Sequence, residues 1–269
     1  MGLKQNLGKV YRWGLRTFIY NDINSALFFK NGYRKKINDK KILVPFKFSW
    51  VYPNEYEVDK TDFIKIHCKE GNVVFDIGAH MGVFSYFLAC QVGKTGKVFS
   101  FEPAPLTYKM LQHTIAYNHL ENTVEANQMA MAEKAGELTF YIYSNSKISS
   151  GNSLSPLNPA GTSHGITVKT VTLDDFFEEK KLSRLDFIKI DAEGAELEIL
   201  KGGQKTIRQY KPYITLEVHP RVFVPSDKIM IELFDLIVSM GYTISKNKKI
   251  IDEREFCNHI DCFEVVLTP

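Results

Sequence analysis

Cysteine is scarce in this chain, no long apolar run occurs, and the glycines never fall into a dinucleotide fingerprint. Each absence excludes something. The four cysteines, Cys68, Cys90, Cys257 and Cys262, follow no disulfide framework, so cross-links are not expected to hold the fold. Cys257, His259 and Cys262 lie close in sequence, but regular zinc spacing and a fourth ligand are missing, so no metal site is expected. No stretch reaches the ~18 consecutive apolar residues of a membrane span. The N-terminus lacks the apolar run of about 7–15 residues that marks a secretory leader. A cytoplasmic protein is the expectation.

Hydrophobic residues make up 44% and charged residues 24% of the 269 positions, which suits one substantial core with an appendage. The net charge of +3 hides an asymmetry: residues 1–50 carry eleven Lys or Arg and two Asp, a local +9 that leaves −6 for the rest. Basic charge gathered at one end suits an anionic contact, such as a membrane surface, a phosphate-bearing substrate or nucleic acid. A solvated arm without a specific partner is the plain alternative. Leu3, Leu7, Val10, Tyr11, Leu15 and Phe18 fall near helical spacing, with Lys4, Lys9, Arg12 and Arg16 mostly between them. Such a helix can lie peripherally on the inner membrane surface or cap the domain core. Residues 1–55 are read as a basic, aromatic N-terminal extension and residues 56–269 as the main domain.

The stretch from Ile42 to Tyr52 reads as extended, and Pro53-Asn54 ends it. A helix over 55–70 leads into strands and helices in alternation: strand 72–77, helix 82–92, strand 97–102, helix 105–118, strand 123–127. That order predicts a mostly parallel sheet with helices on both faces. A β excursion follows, with strands at 137–143 and 167–171 around a Ser-, Asn-, Gly- and Pro-rich loop at 144–165. The core resumes with helix 172–180, strand 185–190, a helix over 195–208, strand 213–218, helix 226–239, and strands near 242–245 and 261–267.

Two segments share one design. Val73–Gly82 and Asp186–Glu196 are each a short apolar run that ends in an aspartate, Asp76 or Asp191, and opens into small residues. Strand ends in an open α/β sheet are where ligands bind. The first turn, Asp76-x-Gly78-x-His80-x-Gly82, lets the backbone approach a ligand closely. A G-x-G-x-x-G fingerprint beginning at Gly78 needs glycine at 80 and 83, and His80 and Val83 stand there. No pyrophosphate is expected on this turn, and S-adenosylmethionine suits it better than NAD. Glu102, at the end of the next strand, can accept hydrogen bonds from ribose hydroxyls. Gln128 and Met129, after the third strand, would lie near the adenine, with Phe101 or Met129 packing on its face.

At these residues the chain resembles the FkbM family of S-adenosylmethionine-dependent methyltransferases. The matching stretches are Asp76–Gly82, Phe101–Pro105, Gly136–Phe140, Val171–Asp175, and above all Phe187–Glu196 with Leu200–Gly203. The resemblance implies an α/β, class I Rossmann-like methyltransferase with a central, mostly parallel seven-stranded sheet whose last strand is antiparallel. It also implies that Asp76, Gly78, Ala79 and His80 hold the methionine end, that Ser85 reaches its carboxylate, and that Glu102 holds the ribose. His80 departs from the family pattern, which usually has asparagine. Residues 1–55 lie outside the resemblance.

On the reaction side, Asp191 can bind the cofactor ammonium or take a substrate proton. Glu193 and Glu196 can act there or simply favour the helix start that follows. Glu217 and His219 share one strand face, and a histidine of ordinary pKa is a candidate general base; a loop-start histidine bonded to backbone is the alternative. Asp191, Glu217 and His219 also form a possible Mg²⁺ set. An Asn-Pro-Pro-Tyr motif of the kind that methylates base amino groups is absent, which favours oxygen as nucleophile. The expected activity is methyl transfer to a hydroxyl of a sugar, glycan or glycan precursor. An RNA 2′-O-methyltransferase and a non-catalytic S-adenosylmethionine-binding module are the alternatives.

Overall fold

The computed structural model describes residues 32–46, 49, 52–143, 163–223 and 227–269. The basic helix expected over 3–19 and most of the 144–165 loop lie outside these residues. Among them, no helix is long and apolar enough to cross a membrane.

The central sheet is built on short apolar strands: β3 (Val73–Ile77), β4 (Lys97–Phe101), β5 (Val124–Asn127), β9 (Phe187–Ile190) and β10 (Tyr213–Val218), all parallel. β13 (Phe263–Thr268) pairs antiparallel with β10 and with β11 (Thr243–Lys246). The order across the sheet is β11-β13-β10-β9-β3-β4-β5, and the two-residue β12 (Lys249–Ile250) extends the β11 edge. The expected seven strands and antiparallel last strand are therefore present. β3 sits between β4 and β9, with Asp76 opposite Ser100 on one side and Lys189 on the other. The two aspartate-ending strands are direct neighbours.

Strand periodicity divides the core. Phe75 and Ile77 face one layer with Phe99, Phe101 and Phe176, covered by α4 (Leu173–Glu179), α5 (Glu196–Lys201), α6 (Gln204–Tyr210), α7 (Asp227–Ser239) and α8 (Glu253–Cys257). Val74 and Val98 face the other layer, covered by α1 (Val58–His67), α2 (Val83–Val92) and α3 (Pro105–Tyr117). Fully buried Phe75 and Leu88 each contribute about 1.5–3 kcal/mol by leaving water.

Local chemistry sets the boundaries. Thr172 caps α4 by accepting from the Asp175 N–H at 2.9 Å. Pro105 opens α3, where its missing N–H costs nothing. The single helix expected over 195–208 is two helices, α5 and α6. A Cβ on Gly202 would meet the Ala132 carbonyl oxygen at 2.3 Å, so only glycine fits there, and Gly203 leaves helical geometry with a φ of −118°. Asp174 then accepts from the N–H groups of Lys205 and Thr206 at the start of α6. The β excursion is a small sheet of β6 (Ala130–Met131), β7 (Gly136–Tyr143) and β8 (Ser163–Val171).

A hairpin, β1 (Tyr33–Ile37) and β2 (Lys40–Val44), precedes the main sheet. The extended stretch expected over 42–52 ends as a strand at Val44, before Pro45. Ile37, Ile42 and Val44 join the core layer of α1–α3. Asn118 at the end of α3 accepts from the Leu43 N–H at 3.0 Å and donates to the Leu43 carbonyl at 2.7 Å.

Candidate active site

A cavity of about 270 Å³ opens at the carboxyl ends of β3, β4, β9 and β10. Its lining includes Gly78, Ala79 and His80 after β3, Phe101 and Glu102 at the end of β4, Met129, and then Asp191 and Glu193 after β9 and Glu217 on β10. Tyr52, Tyr56 and Glu57, from the chain ahead of α1, complete the wall with Val83 and Phe84. Glu57, His80 and Glu193 all have left-handed backbones, with φ of 42°, 49° and 49°. Non-glycine residues held in that region cluster where function over-determines them.

Glu102 is fixed at both oxygens. Oε2 accepts from the His80 N–H at 3.0 Å and Oε1 from the Ala104 N–H at 2.9 Å. Burial pushes its carboxyl up to about 7, although those two amides favour the charged form. Gly78 and Ala79 spend their N–H groups on the Phe101 carbonyl, at 3.0 and 2.9 Å. The turn is thereby pinned to β4.

Lys189 is the residue that sequence reasoning missed. It is 2% exposed, and its Nζ donates to the Gly78 carbonyl at 2.7 Å and lies 3.3 Å from Asp76 Oδ1 and 3.6 Å from Asp191 Oδ2. A lysine inside the apolar run Phe187-Ile-Lys-Ile190 was the available signal, because lysine is almost never fully buried unless paired. Despite burial, Asp76 and Asp191 keep it charged. Burial alone would raise Asp191, but Lys189, Lys60, His219 and His80 together hold its carboxyl below the ordinary range.

Three expected cofactor contacts lie elsewhere. Asp76 is fully buried; its Oδ2 accepts from Ser85 Oγ at 2.6 Å, and Ser85 Oγ in turn accepts from Ser100. Ser85 is thus turned into the core, away from a ligand carboxylate. Gly82 caps α2 and packs on Leu111, where a Cβ would meet a side-chain carbon at 2.6 Å. None of these three lines the cavity, and they support the turn from beneath. Gln128 is exposed and off the wall, while its neighbour Met129 is on it.

His219 lies among carboxylates. Its Nδ1 is 2.8 Å from Glu196 Oε1, and its Nε2 is 3.5 Å from Glu193 and 4.0 Å from Asp191 and Glu217. Burial disfavours the imidazolium, but hydrogen bonds with Cys262 and Glu196 and the charges of Glu196 and Glu193 outweigh it, lifting the pKa to about 12. His219 is therefore a cation, not the neutral base expected of it. Glu193 takes the opposite course: burial pushes its carboxyl up to about 8, opposed by His219 and reinforced by Asp191, Glu196 and Glu217. Glu196 is fully buried and also accepts from the Gly194 N–H at 3.0 Å, so it serves the helix start and His219.

Glu217 Oε2 accepts from Lys60 Nζ at 2.8 Å and its Oε1 from the Cys262 thiol at 3.1 Å. Lys60, 1% exposed, also pairs with Glu264 at 3.1 Å and with Glu57, filling with its own charge the place a metal would take among these carboxylates. Asp191, Glu193 and His219 form a second group of converging ligand atoms, with the other ring nitrogen of His219, Nδ1, 2.8 Å from Glu196 Oε1. Cys262 joins Glu217 and His219, whereas His259 meets Lys246 at 2.9 Å, so the sequence-adjacent Cys257, His259 and Cys262 do not converge on one point.

A parallel sheet in this order, with a glycine turn after its central strand and a carboxylate at the end of the next, defines a Rossmann-like methyltransferase. The chain belongs to the methyltransferase FkbM domain family, whose model matches residues 76–244. It is 26% identical over 166 residues to the hexuronic acid methyltransferase AglP of Haloferax volcanii, covering 62% of this chain and 64% of that protein. It is 25% identical over 205 residues to the 31-O-demethyl-FK506 methyltransferase FkbM of Streptomyces tacrolimicus, covering 66% of this chain and 75% of that one. The chain thus spans less than two thirds of the length of the first of these relatives. The crystal structure of methyltransferase FkbM from Methylobacillus flagellatus superposes with a TM-score of 0.47 at 17% identity, covering 73% of this chain and 43% of that one.

S-adenosylmethionine is the cofactor of this domain family, and the residues here fit it. Gly78 lines the cavity with its turn packed against the Asp191 backbone. Glu102 offers a fixed carboxylate for ribose hydroxyls. His80 Nε2 is buried without a protein partner among the described residues, and His80 is one of the residues lining the cavity. Asp191, held below the ordinary carboxylate range, lines the same wall, which suits a ligand bearing a positive end.

Proposed function

We propose that the chain transfers the methyl group of S-adenosylmethionine to a hydroxyl oxygen of a sugar, glycan or glycan precursor. The carrying observation is one cavity in which Glu102 stands at the end of β4 and Glu193 and Glu217 stand across β3, beside β9 and β10. Cofactor-side and acceptor-side groups then share a single space.

When bound, the cofactor supplies a methyl group on a sulfonium centre. Glu102 holds the ribose, Phe101 and Met129 flank the adenine, and the Gly78–His80 turn orients the methionine end. Asp191, anionic and fixed by Lys189, faces the positive end of the ligand. Alignment of hydroxyl, methyl and sulfur is the main contribution of the protein. Glu193 would receive the hydroxyl proton as the acceptor oxygen takes the methyl and the methyl–sulfur bond breaks, with S-adenosylhomocysteine leaving. His219, as a cation, steadies the Glu193 carboxylate that is needed for this.

An oxygen acceptor is supported by the relative whose name specifies a 31-O-demethyl substrate, and a sugar acceptor by the relative that acts on hexuronic acid. The +9 charge of residues 1–50 supports an acceptor that is nucleotide-linked, phosphorylated or lipid-linked, met peripherally at a membrane surface. Calorimetric titration with S-adenosylmethionine and its demethylated product comes first, with NAD as the control. Labelled cofactor is then incubated with glycan extracts, and mass spectrometry reads methyl ethers on sugar. Absence of binding by either adenosyl ligand overturns the cofactor assignment. Methylation of RNA alone, or cofactor binding without turnover on any acceptor, overturns the acceptor assignment.

A further inference from the structure

We propose that Tyr52 is a cofactor-positioning residue, locking His80 in the tautomer that presents an Nε2–H to the carboxylate of bound S-adenosylmethionine. The inference rests on the cofactor assignment above. Tyr52 lies ahead of residues 76–244, so the family match does not contain it.

Tyr52 is 5% exposed, and its hydroxyl is 2.7 Å from His80 Nδ1. The ring is held edge-on by Tyr56, with centroids 4.9 Å apart. A phenol has one proton to donate, and burial among Glu57, Asp191, Glu102 and Asp76 raises its pKa, so that proton stays. Burial also lowers His80, to about 4, so its neutral ring carries one proton. Were that proton on Nδ1, the ring would donate to Tyr52 and the phenol proton would have no protein acceptor among the described residues. With Tyr52 donating to Nδ1, both groups are satisfied and the imidazole proton sits on Nε2.

That Nε2 is buried and has no protein partner among the described residues, while His80 lines the cavity. A ligand seated in that cavity with an acceptor beside His80 would satisfy it. The methionine carboxylate is the strongest acceptor on the cofactor. Lys189 does not serve it, being committed to the Gly78 carbonyl, Asp76 and Asp191. The His80 backbone is fixed separately, through its N–H to Glu102 at 3.0 Å. One residue thus ties the ribose carboxylate to the methionine end. An asparagine in place of His80 would offer a side-chain amide donor without any tautomer choice. Histidine at this position needs Tyr52 to choose for it.

The test uses the full chain and three proteins besides wild type: Tyr52→Phe, His80→Asn and the double variant. Calorimetry with S-adenosylhomocysteine reads carboxylate-dependent binding, and 5′-methylthioadenosine, which lacks the amino-acid end, is the control. Tyr52→Phe is expected to weaken S-adenosylhomocysteine by about tenfold and to leave methylthioadenosine unchanged. In the His80→Asn background, Tyr52→Phe is expected to change neither. Nitrogen-15 NMR of the ligand-free wild type is expected to show the Nε2-protonated tautomer, and needs no variant. An Nδ1-protonated ring, or equal loss of both ligands in Tyr52→Phe, overturns the inference. If wild type binds neither ligand, the cofactor assignment itself falls; if it binds both and Tyr52→Phe matches it, only the role of Tyr52 falls.

Discussion

The carbonyl oxygen of Asp191 occupies the space where a side chain on Gly78 would begin: an ideal Cβ there would lie 1.8 Å from it. The glycine turn of the cofactor strand and the first turn of the reaction strand are in direct backbone contact. Gly78 also has a φ of +75°, which an L side chain adopts only with strain. Gly78→Ala is therefore expected to cost at least about 2 kcal/mol and to lose S-adenosylhomocysteine binding. Urea denaturation and calorimetry check this, and wild-type values in both would show that the two turns can separate freely.

Lys189 holds the same junction from below. Its removal strands Asp76, which is fully buried and keeps only Ser85 as a donor. Lys189→Met is expected to destabilise the chain by about 3–5 kcal/mol, the usual cost of breaking a buried pair. Adding Asp76→Asn removes the stranded charge, so the double variant is expected to regain part of that stability. A double-variant midpoint at or below that of Lys189→Met alone would mean the two charges are not coupled.

The sheet was legible because each of its strands is a local apolar run bounded by turn residues, and the order of β3, β4 and β9 follows from parallel α/β connectivity. Glu102 and Asp191 were legible for the same reason: each sits at a strand end. The break between α5 and α6 was not read, although the Gly202-Gly203 pair marks it, because apolar residues continue at helical spacing on both sides. The charge state of His219 was not legible either. It depends on Glu193, Glu196 and Cys262, from a turn, a helix start and the segment before the last strand. The cavity wall at Tyr52–Glu57 had no signal in the sequence, since nothing local tells a packed tyrosine from one beside a ligand.

Glu102 links cofactor affinity to pH. Its carboxyl titrates near 7 because burial raises it, and ribose hydroxyls donate best to the ionised form. Cofactor binding should therefore release a proton below pH 7, and affinity for S-adenosylhomocysteine should rise from pH 6 to pH 8. Glu102→Ala is expected to weaken binding by about 1–3 kcal/mol and to flatten that dependence. Calorimetry in buffers of different ionisation enthalpy reads both the affinity and the proton count. An unchanged slope in the variant would assign the pH dependence to another group.

In the proposed reaction Glu193 takes the proton and His219 sets its charge, and kinetics can separate the two. Burial raises Glu193 to about 8, so its basic form grows as pH rises through that value. Turnover at saturating cofactor is expected to climb from about pH 7 and level off above about pH 9. His219 stays protonated across this range, and its charge pulls Glu193 down. Asp191, Glu196 and Glu217 push Glu193 the other way. His219→Gln removes the downward pull, so the rising limb should move to higher pH with cofactor affinity retained. Glu193→Gln should lower kcat by about 10²–10⁴-fold while binding S-adenosylhomocysteine normally. A pH profile that ignores both substitutions would remove the pair from proton transfer and leave alignment of the two substrates as the main source of rate.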